Sequence, residues 1–316
     1  MPRWTAGGHL WLSLIGIGHR ACDKGEEMTA SVIIGIHGLA NKPPMQEKKK
    51  WWKNALVEGL QRNCNKTTDE LEFDFVYWAD LRYRDPIDSQ GNSEPYYPSN
   101  IAGSFPAYHT SKWTEIFNEM ATAVGTTADF LDMHTGVSRV GDLILERNLE
   151  DLAAYYDNSD FRNETRKRLM ETLQAHAGKR IMLIAHSMGS IIGYDVLRLL
   201  GRQTPSLQVD HFITIGSPLG MPHVKYRIFC ENDLIRTPSI VGRWTNFADR
   251  RDIVAVDAKL ADDFEANDQG VKVVDVPVIN AYLNPSDKQP GNKPNYHKSY
   301  GYLRTPELSN VVRNFY

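Results

Sequence analysis

The amino-acid sequence predicts an α/β fold: a mostly parallel sheet of about six or more strands with helices on both faces. Three observations lead there. Short apolar runs alternate with longer segments whose apolar residues recur at helical spacing, the pattern of strand–helix–strand units joined by right-handed crossovers. Several runs are apolar at consecutive positions, as in Ser31-Val-Ile-Ile-Gly-Ile36 and Ile181-Met-Leu-Ile-Ala185, so both faces of those strands must be covered. The second run passes directly into His186-Ser187-Met188-Gly189 and then into a helical pattern, leaving only a tight turn between strand and helix.

Taken in order, residues 31–36 form the first strand, closed by His37-Gly38-Leu39. After Pro43 and Pro44, the spacing of Trp52, Ala55, Leu56, Gly59 and Leu60 predicts a helix over 46–62, on which Lys48, Lys49 and Lys50 read as a solvated face. Residues 71–78, with Phe73, Phe75 and Tyr77 alternating, form the second strand. Between Asp85 and Pro106 four prolines and neither period mark a long loop, a kind that is usually functional or mobile. Trp113, Ile116, Phe117, Met120 and Val124 predict an amphipathic helix, and Val140, Leu143, Ile144 and Leu149 another. Residues 85–157 together read as a cap-like insertion of helices and loop within a single domain spanning 28–316. A helix over 161–176, capped by Asn158 or Asp160, precedes the central strand at 181–185. Beyond the turn, Ile191, Ile192, Val196, Leu199 and Leu200 form a helix ending at Gly201. Residues 209–215, 243–247 and 271–278 complete the strands, a polar loop over 284–295 leads to His297, and 307–315 is a terminal helix.

With 41% hydrophobic and 24% charged residues the chain can bury a sizeable core. Its formal net charge of -3 gives no general electrostatic reason to expect nucleic acid or an anionic membrane as partner. Cys22, Cys64 and Cys230 are too few and too scattered for a disulfide framework or a zinc site, although one Cys64–Cys230 bridge stays open; a reducing, cytoplasmic location is the expectation. Arg3 followed by the apolar patch at 10–18 superficially resembles a signal peptide, but His19 and Arg20 follow at once and no small-x-small cleavage pattern is evident. The patch is also far short of a bilayer span, so no stable membrane insertion is expected. Residues 1–27 read as an N-terminal extension ahead of an internal start at Met28. Oligomeric state is left open by the sequence.

Ser187 sits at the apex of its turn, where Ala185 and Gly189 provide the small neighbours that so sharp a reversal needs. A helix starts there, and its unpaired N–H groups and positive dipole end face whatever the hydroxyl attacks. A serine hydroxyl at neutral pH also needs a base within hydrogen-bond reach, and that base needs a carboxylate to fix its tautomer. Asp252 and His297 suit these roles, because each follows the carboxyl end of a predicted strand, where the chemistry of parallel sheets collects. Asp249 rivals Asp252 and His223 rivals His297. His186 is expected to pack beside the turn, and His37 to shape the loop after the first strand.

The order Ser187, Asp252, His297 and the strand–turn–helix around Ala185-His-Ser-Met-Gly189 resemble the α/β-hydrolase family, particularly certain microbial lipases and esterases. The resemblance implies that Ser187 is the nucleophile, Asp252 the acid and His297 the base. It implies further that the backbone N–H of Met188 is one oxyanion donor. Through the His37-Gly38-Leu39 match it makes the N–H of Leu39 the second donor. Gly216-Ser217-Pro218 and Asp252-Ile253-Val254 match further elements of the family pattern. One departure is clear: the family often inserts a cap after the strand that follows the central helix, yet Ser217 to Val241 leaves no room for a large one. The insertion at 85–157 would instead roof the pocket, with Tyr96, Tyr97, Phe105, Trp113 and Phe117 forming either an acyl-side wall or only the core of that segment.

The expected function is a serine hydrolase cleaving carboxylic esters through an acyl-enzyme, acting on a small-molecule ester without a metal or organic cofactor. Thioesterases and amidases share the machinery. The alternative is a non-catalytic protein of the same fold that binds a ligand or partner in the cleft.

Overall fold

A six-stranded, all-parallel sheet organises the protein, in the order β2-β1-β3-β4-β5-β6. The strands are β1 (Ser31–Ile36), β2 (Phe73–Val76), β3 (Arg180–His186), β4 (His211–Ile215), β5 (Trp244–Ala248) and β6 (Val273–Pro277). The computed structural model describes residues 30–67, 71–88, 96–99, 103–108, 150–255, 259–284 and 293–316. The N-terminal extension at 1–27, its apolar patch and the helices expected around 113–124 and 140–149 lie outside the described residues.

Continuous apolar runs are buried on both sides for the reason their sequence suggests. Val32, Ile34 and Ile36 of β1 join Ile181, Leu183 and Ala185 of β3 in one core, packed against α2 (Ser159–Ala175) and α3 (Met188–Gln203). Their alternating neighbours Ile33, Met182, Ile184, Ile213 and Ile215 face the other way, into a core closed by α1 (Met45–Cys64) and by α7 (Pro306–Phe315). Between these elements lie α4 (Pro222–Asn232), α5 (Leu260–Asp263), α6 (Ser299–Leu303) and an antiparallel pair, β7 (Leu283–Asn284) with β8 (Lys293–Pro294). A helical stretch at 150–157 precedes α2.

Local chemistry sets the boundaries. Asn158 is the cap of α2, its Oδ1 accepting from the N–H of Asp160 and of Phe161 at 3.0 and 3.1 Å. Pro306 begins α7 behind the cap Thr305. In register, Ile36 lies beside Ala185 and Ala185 beside Thr214, so the loops leaving β1, β3 and β4 emerge side by side.

Several expectations change. Lys48 is not on a solvated face: it is 5% exposed, and its ammonium donates to the Tyr300 hydroxyl at 2.9 Å. Lys49 pairs with Asp74, and Lys50 alone of the run is exposed. Cys64 and Cys230 are free thiols, not a bridge. Helix α4 lies in a stretch without a readable period, because only Val224 and Ile228 of its residues are buried while Tyr226 and Phe229 face outward. Of the aromatic residues considered for a pocket wall, Tyr96 packs on Tyr300 and bonds Glu58, and Phe105 lies beneath Arg62 and Arg304. Trp113 and Phe117 lie outside the described residues.

Candidate active site

Strand β3 ends at His186 and α3 begins at Met188, so Ser187 alone reverses the chain. It does so with φ 54 and ψ -129, a conformation that a residue with a Cβ rarely adopts and that costs on the order of 1–3 kcal/mol. The surroundings hold it there. The Ser187 N–H donates to the Ile215 carbonyl at 3.1 Å, and its own carbonyl accepts the Ser190 N–H at 2.8 Å and the Ser190 hydroxyl at 2.5 Å. Gly189 lies so close to β1 that an added Cβ would come within 2.7 Å of the Ile36 and His37 carbonyl oxygens. This packing against the neighbouring strand is why a small residue is needed there.

In this conformation the serine side chain does not cap its own helix. It reaches His297 instead. Nε2 of His297 lies 3.0 Å from Ser187 Oγ, while Nδ1 lies 2.9 Å from each carboxylate oxygen of Asp252. A carboxylate can only accept, so Nδ1 carries the proton and Nε2 of the neutral ring faces the serine with its lone pair. Asp252 is 3% exposed and takes two further donors, the Val254 N–H at 2.9 Å and the Tyr302 hydroxyl at 2.7 Å. Gly216, at φ 54, passes behind this pair; a Cβ there would stand 2.8 Å from Asp252 Oδ2 and 3.2 Å from His297 Nδ1. The Gly-Ser-Pro sequence thus has a steric reason at its first position.

The rivals are otherwise engaged. Asp249 is tied to the Arg251 guanidinium and to the N–H of Asn280, and His223 is exposed at the start of α4. Nε2 of His186 donates to the His297 carbonyl at 2.7 Å, and the two rings lie 4.7 Å apart, so His186 supports the loop that carries His297. Burial, the adjoining His297 and the ammonium groups of Lys48 and Lys42 hold His186 well below the ordinary imidazole range. His37 is held low as well, by burial and by Lys42. Its Nε2 accepts the Trp78 N–H at 3.1 Å, which leaves Nδ1–H to donate to the Gly38 carbonyl at 2.7 Å.

The loop after β1 presses on the serine. A Cβ on Gly38 would lie 2.5 Å from Ser187 Cβ and 3.0 Å from its Oγ, so only glycine allows this approach, and Leu39 follows directly. Ala40, at φ 68, donates its N–H to Asp151 Oδ2 at 2.8 Å. Asp151 is fully buried and is itself held by Arg82 and by the Tyr83 hydroxyl at 2.9 Å. From the other side Lys42 Nζ donates to the carbonyls of Leu39 and Ala40. Together these contacts fix the Leu39–Ala40 peptide, and the His37 bond to the Gly38 carbonyl holds the preceding one, which carries the Leu39 N–H, while the Met188 N–H opens α3.

Ser187 therefore lies with His297 and Asp252 in one hydrogen-bonded chain, with Gly38 and Leu39 beside it and Met188 next in sequence. The parts that sequence reasoning missed are Tyr302, Asp151, Lys42 and Lys48. Tyr302 and Asp151 carry no periodic or motif signal, and Lys48 is disguised by its two lysine neighbours. A cavity of about 180 Å³ opens over the serine, with Leu39, Lys42, Lys48 and His297 in its walls.

A search of curated proteins finds no match to this chain. Residues 148–232, which run from the helical stretch before α2 through β3, Ser187 and β4 to the end of α4, match the family model of lecithin:cholesterol acyltransferase. The six-stranded parallel sheet with its helices is that of an α/β-hydrolase fold, and similarity to an acyltransferase family across the serine turn indicates an acyl-transferring or ester-hydrolysing enzyme.

Proposed function

We propose that the protein is a serine hydrolase of carboxylic esters that works through an acyl-enzyme on Ser187. The observation that carries this reading is the unbroken chain from Ser187 Oγ to His297 Nε2 at 3.0 Å and from His297 Nδ1 to Asp252 at 2.9 Å. As Oγ attacks the ester carbonyl, Nε2 takes its proton, and the carboxylate of Asp252 stabilises the resulting imidazolium while fixing its orientation. The negative charge that develops on the carbonyl oxygen is met by the N–H groups of Met188 and Leu39, each worth about 3 kcal/mol of barrier where such donors are preset. His297 then returns the proton to the leaving alcohol, and a second nucleophile resolves the acyl-enzyme.

Water is the second nucleophile for a hydrolase. The match to an acyltransferase family across 148–232 favours a second reading in which another alcohol takes its place. The same groups serve both, since His297 deprotonates either acceptor. Thioesters and amides are further substrates of the same machinery.

Replacement of Ser187 by alanine tests the proposal. The variant is expected to fold, to lose at least about 10³-fold in kcat/KM towards a nitrophenyl ester, and to escape labelling by a fluorophosphonate that marks the wild type. Full activity in the variant would sink the mechanism. A wild type that neither turns over esters nor is labelled would point to a cleft that only binds.

A further inference from the structure

Aiming the Leu39 N–H is a matter of two peptide planes. The N–H belongs to the Gly38–Leu39 peptide, and the next plane, Leu39–Ala40, is joined to it only through the two soft dihedrals of Leu39. The first plane is held by His37, whose Nδ1–H donates to the Gly38 carbonyl at 2.7 Å, so that in a trans peptide the Leu39 N–H points the opposite way. The second plane is held from a distant part of the chain. Its N–H, that of Ala40, donates to Asp151 Oδ2 at 2.8 Å, while its carbonyl accepts from Lys42. Ala40 needs such a hold, because φ 68 is a backbone conformation that a residue with a Cβ keeps only where its surroundings enforce it.

Asp151 lies in the first turn of the helical stretch at 150–157 and is fully buried. The Tyr83 hydroxyl stands 2.9 and 3.0 Å from its two oxygens, and Arg82 pairs with it. Each of these partners is a donor, as a carboxylate requires. Arg82 and Tyr83 precede the stretch 85–157, read from the sequence as an insertion, and Asp151 lies near its end, so the cluster ties the two ends of that stretch together. Its beginning also reaches the loop: Asn41 Nδ2 donates to the Asp85 carbonyl at 2.8 Å, and the Ile87 N–H donates to the Lys42 carbonyl at 2.9 Å. Residues 40–42 are therefore bonded to both ends of 85–157.

Resting on the hydrolase reading above, we infer that Asp151 is a positioning residue for ester cleavage, one that sets the Leu39 N–H as an oxyanion donor by fixing the peptide that follows it. Asp151 does not line the serine cavity, so it acts through the loop and not on the substrate. A carboxylate suits the task, since a hydrogen bond from a backbone N–H to a charged acceptor is stronger than one to a neutral acceptor. The stretch 85–157 thus contributes to the chemistry through its two ends.

The full chain tests this with Asp151→Asn, which keeps the volume but sets an NH2 group among donors. Formation and breakdown of the acyl-enzyme both pass through an oxyanion. With 4-nitrophenyl acetate, kcat and kcat/KM should therefore fall together by about 10-fold or more and leave KM little changed, a part of the roughly 10²–10³-fold lost when such a donor is removed outright. A trifluoromethyl ketone supplies the second readout: Ser187 Oγ adds to its carbonyl carbon, the hydroxyl proton passes to His297, and the oxyanion rests where that of the ester would. Its Ki should rise by the factor by which kcat/KM falls, while the Ki of the matching alcohol, which forms no oxyanion, stays within about 2-fold. Lost stability alone would leave kcat per folded molecule and both Ki values unmoved. Tyr83→Phe and Arg82→Met each remove a donor to the same carboxylate and should shift kcat and the ketone Ki in the same direction by a smaller factor; they carry the test if Asp151→Asn does not fold. Unchanged kcat and ketone affinity in Asp151→Asn, or in both of the other variants where Asp151→Asn does not fold, overturn the inference, as does a rise in KM alone. The hydrolase reading survives that result if Ser187→Ala abolishes wild-type turnover. A wild type that neither cleaves esters nor is labelled by a fluorophosphonate overturns both.

Discussion

Two buried carboxylates in this protein have nearly the same surroundings and invite opposite interpretations. Asp252 accepts a hydrogen bond from the Tyr302 hydroxyl at 2.7 Å, and Asp195, on α3, accepts one from the Tyr155 hydroxyl at 2.7 Å. Both are almost wholly out of contact with solvent. The difference is the cationic partner. Asp195 faces the Arg166 guanidinium at 2.6 Å, a group that stays charged at any accessible pH, within a cluster that also takes in Tyr155 and, from α4, Glu231. Asp252 faces an imidazole, which can lose or gain a proton, and the far nitrogen of that ring looks onto a serine at the floor of a cavity. A buried acid paired with a permanent cation fixes structure; one paired with a titratable base that continues to a nucleophile can move a proton.

The largest expected effect comes from neutralising the acid of the second kind. Asp252→Asn keeps the volume but removes the charge that opposes the imidazolium and selects the Nδ1 proton. Loss of activity should be on the order of 10⁴-fold in kcat, the size seen when the equivalent carboxylate of a serine–histidine pair is neutralised. Circular dichroism should show a folded protein. Activity within about 10-fold of the wild type would break the comparison by showing that Asp252, like Asp195, is only structural.

The next effect belongs to the closed cluster and should appear in stability alone. Arg166→Met leaves Asp195 buried with its charge unopposed, and removal of one partner of such a pair costs about 3–5 kcal/mol. Denaturant titration should show that loss, and the double variant Arg166→Met with Asp195→Leu should recover much of it. Ester turnover per folded molecule should not change, since neither Arg166 nor Asp195 nor Tyr155 lines the serine cavity.

Which of these two carboxylates lies in line with His297 and Ser187 was legible in the sequence, and the reason is positional. Asp252 and His297 each follow a strand, and parallel strands present their carboxyl ends to one edge; Asp195 sits in the middle of a helical pattern, where a charge reads as an outward-facing residue. The core strands were legible because β1 and β3 are apolar at consecutive positions, and Ser187 because nothing but a tight turn fits between β3 and α3. What escaped depends on partners distant in the chain. Nothing local separates Lys48 from Lys49 and Lys50; only Tyr300, brought over by α6, makes it a buried cation. Asp151 has meaning only through Ala40, and Tyr302 only through Asp252, across 111 and 50 positions of sequence respectively. Helix α6 itself has every residue buried, so it has no polar face from which to read a period.

The smallest predicted effect is also the most symmetrical one. Tyr302→Phe and Tyr155→Phe delete the same hydroxyl from the same kind of carboxylate, and each should destabilise the fold by about 1–3 kcal/mol, the cost of leaving a buried acceptor short of a donor. Their consequences for turnover should diverge. Tyr302 also accepts the Asp249 N–H at 3.0 Å, so its hydroxyl couples the loop after β5 to the carboxylate that orients His297. Tyr302→Phe should therefore lower kcat by up to about 10-fold with little change in KM, because an acid less firmly held aligns the imidazole less well in the transition state. Tyr155→Phe should lower the melting temperature and leave kcat alone. Equal kcat values for the two variants would mean that the Tyr302 hydroxyl contributes to the site only what Tyr155 contributes to its own cluster, a hydrogen bond that holds two elements together.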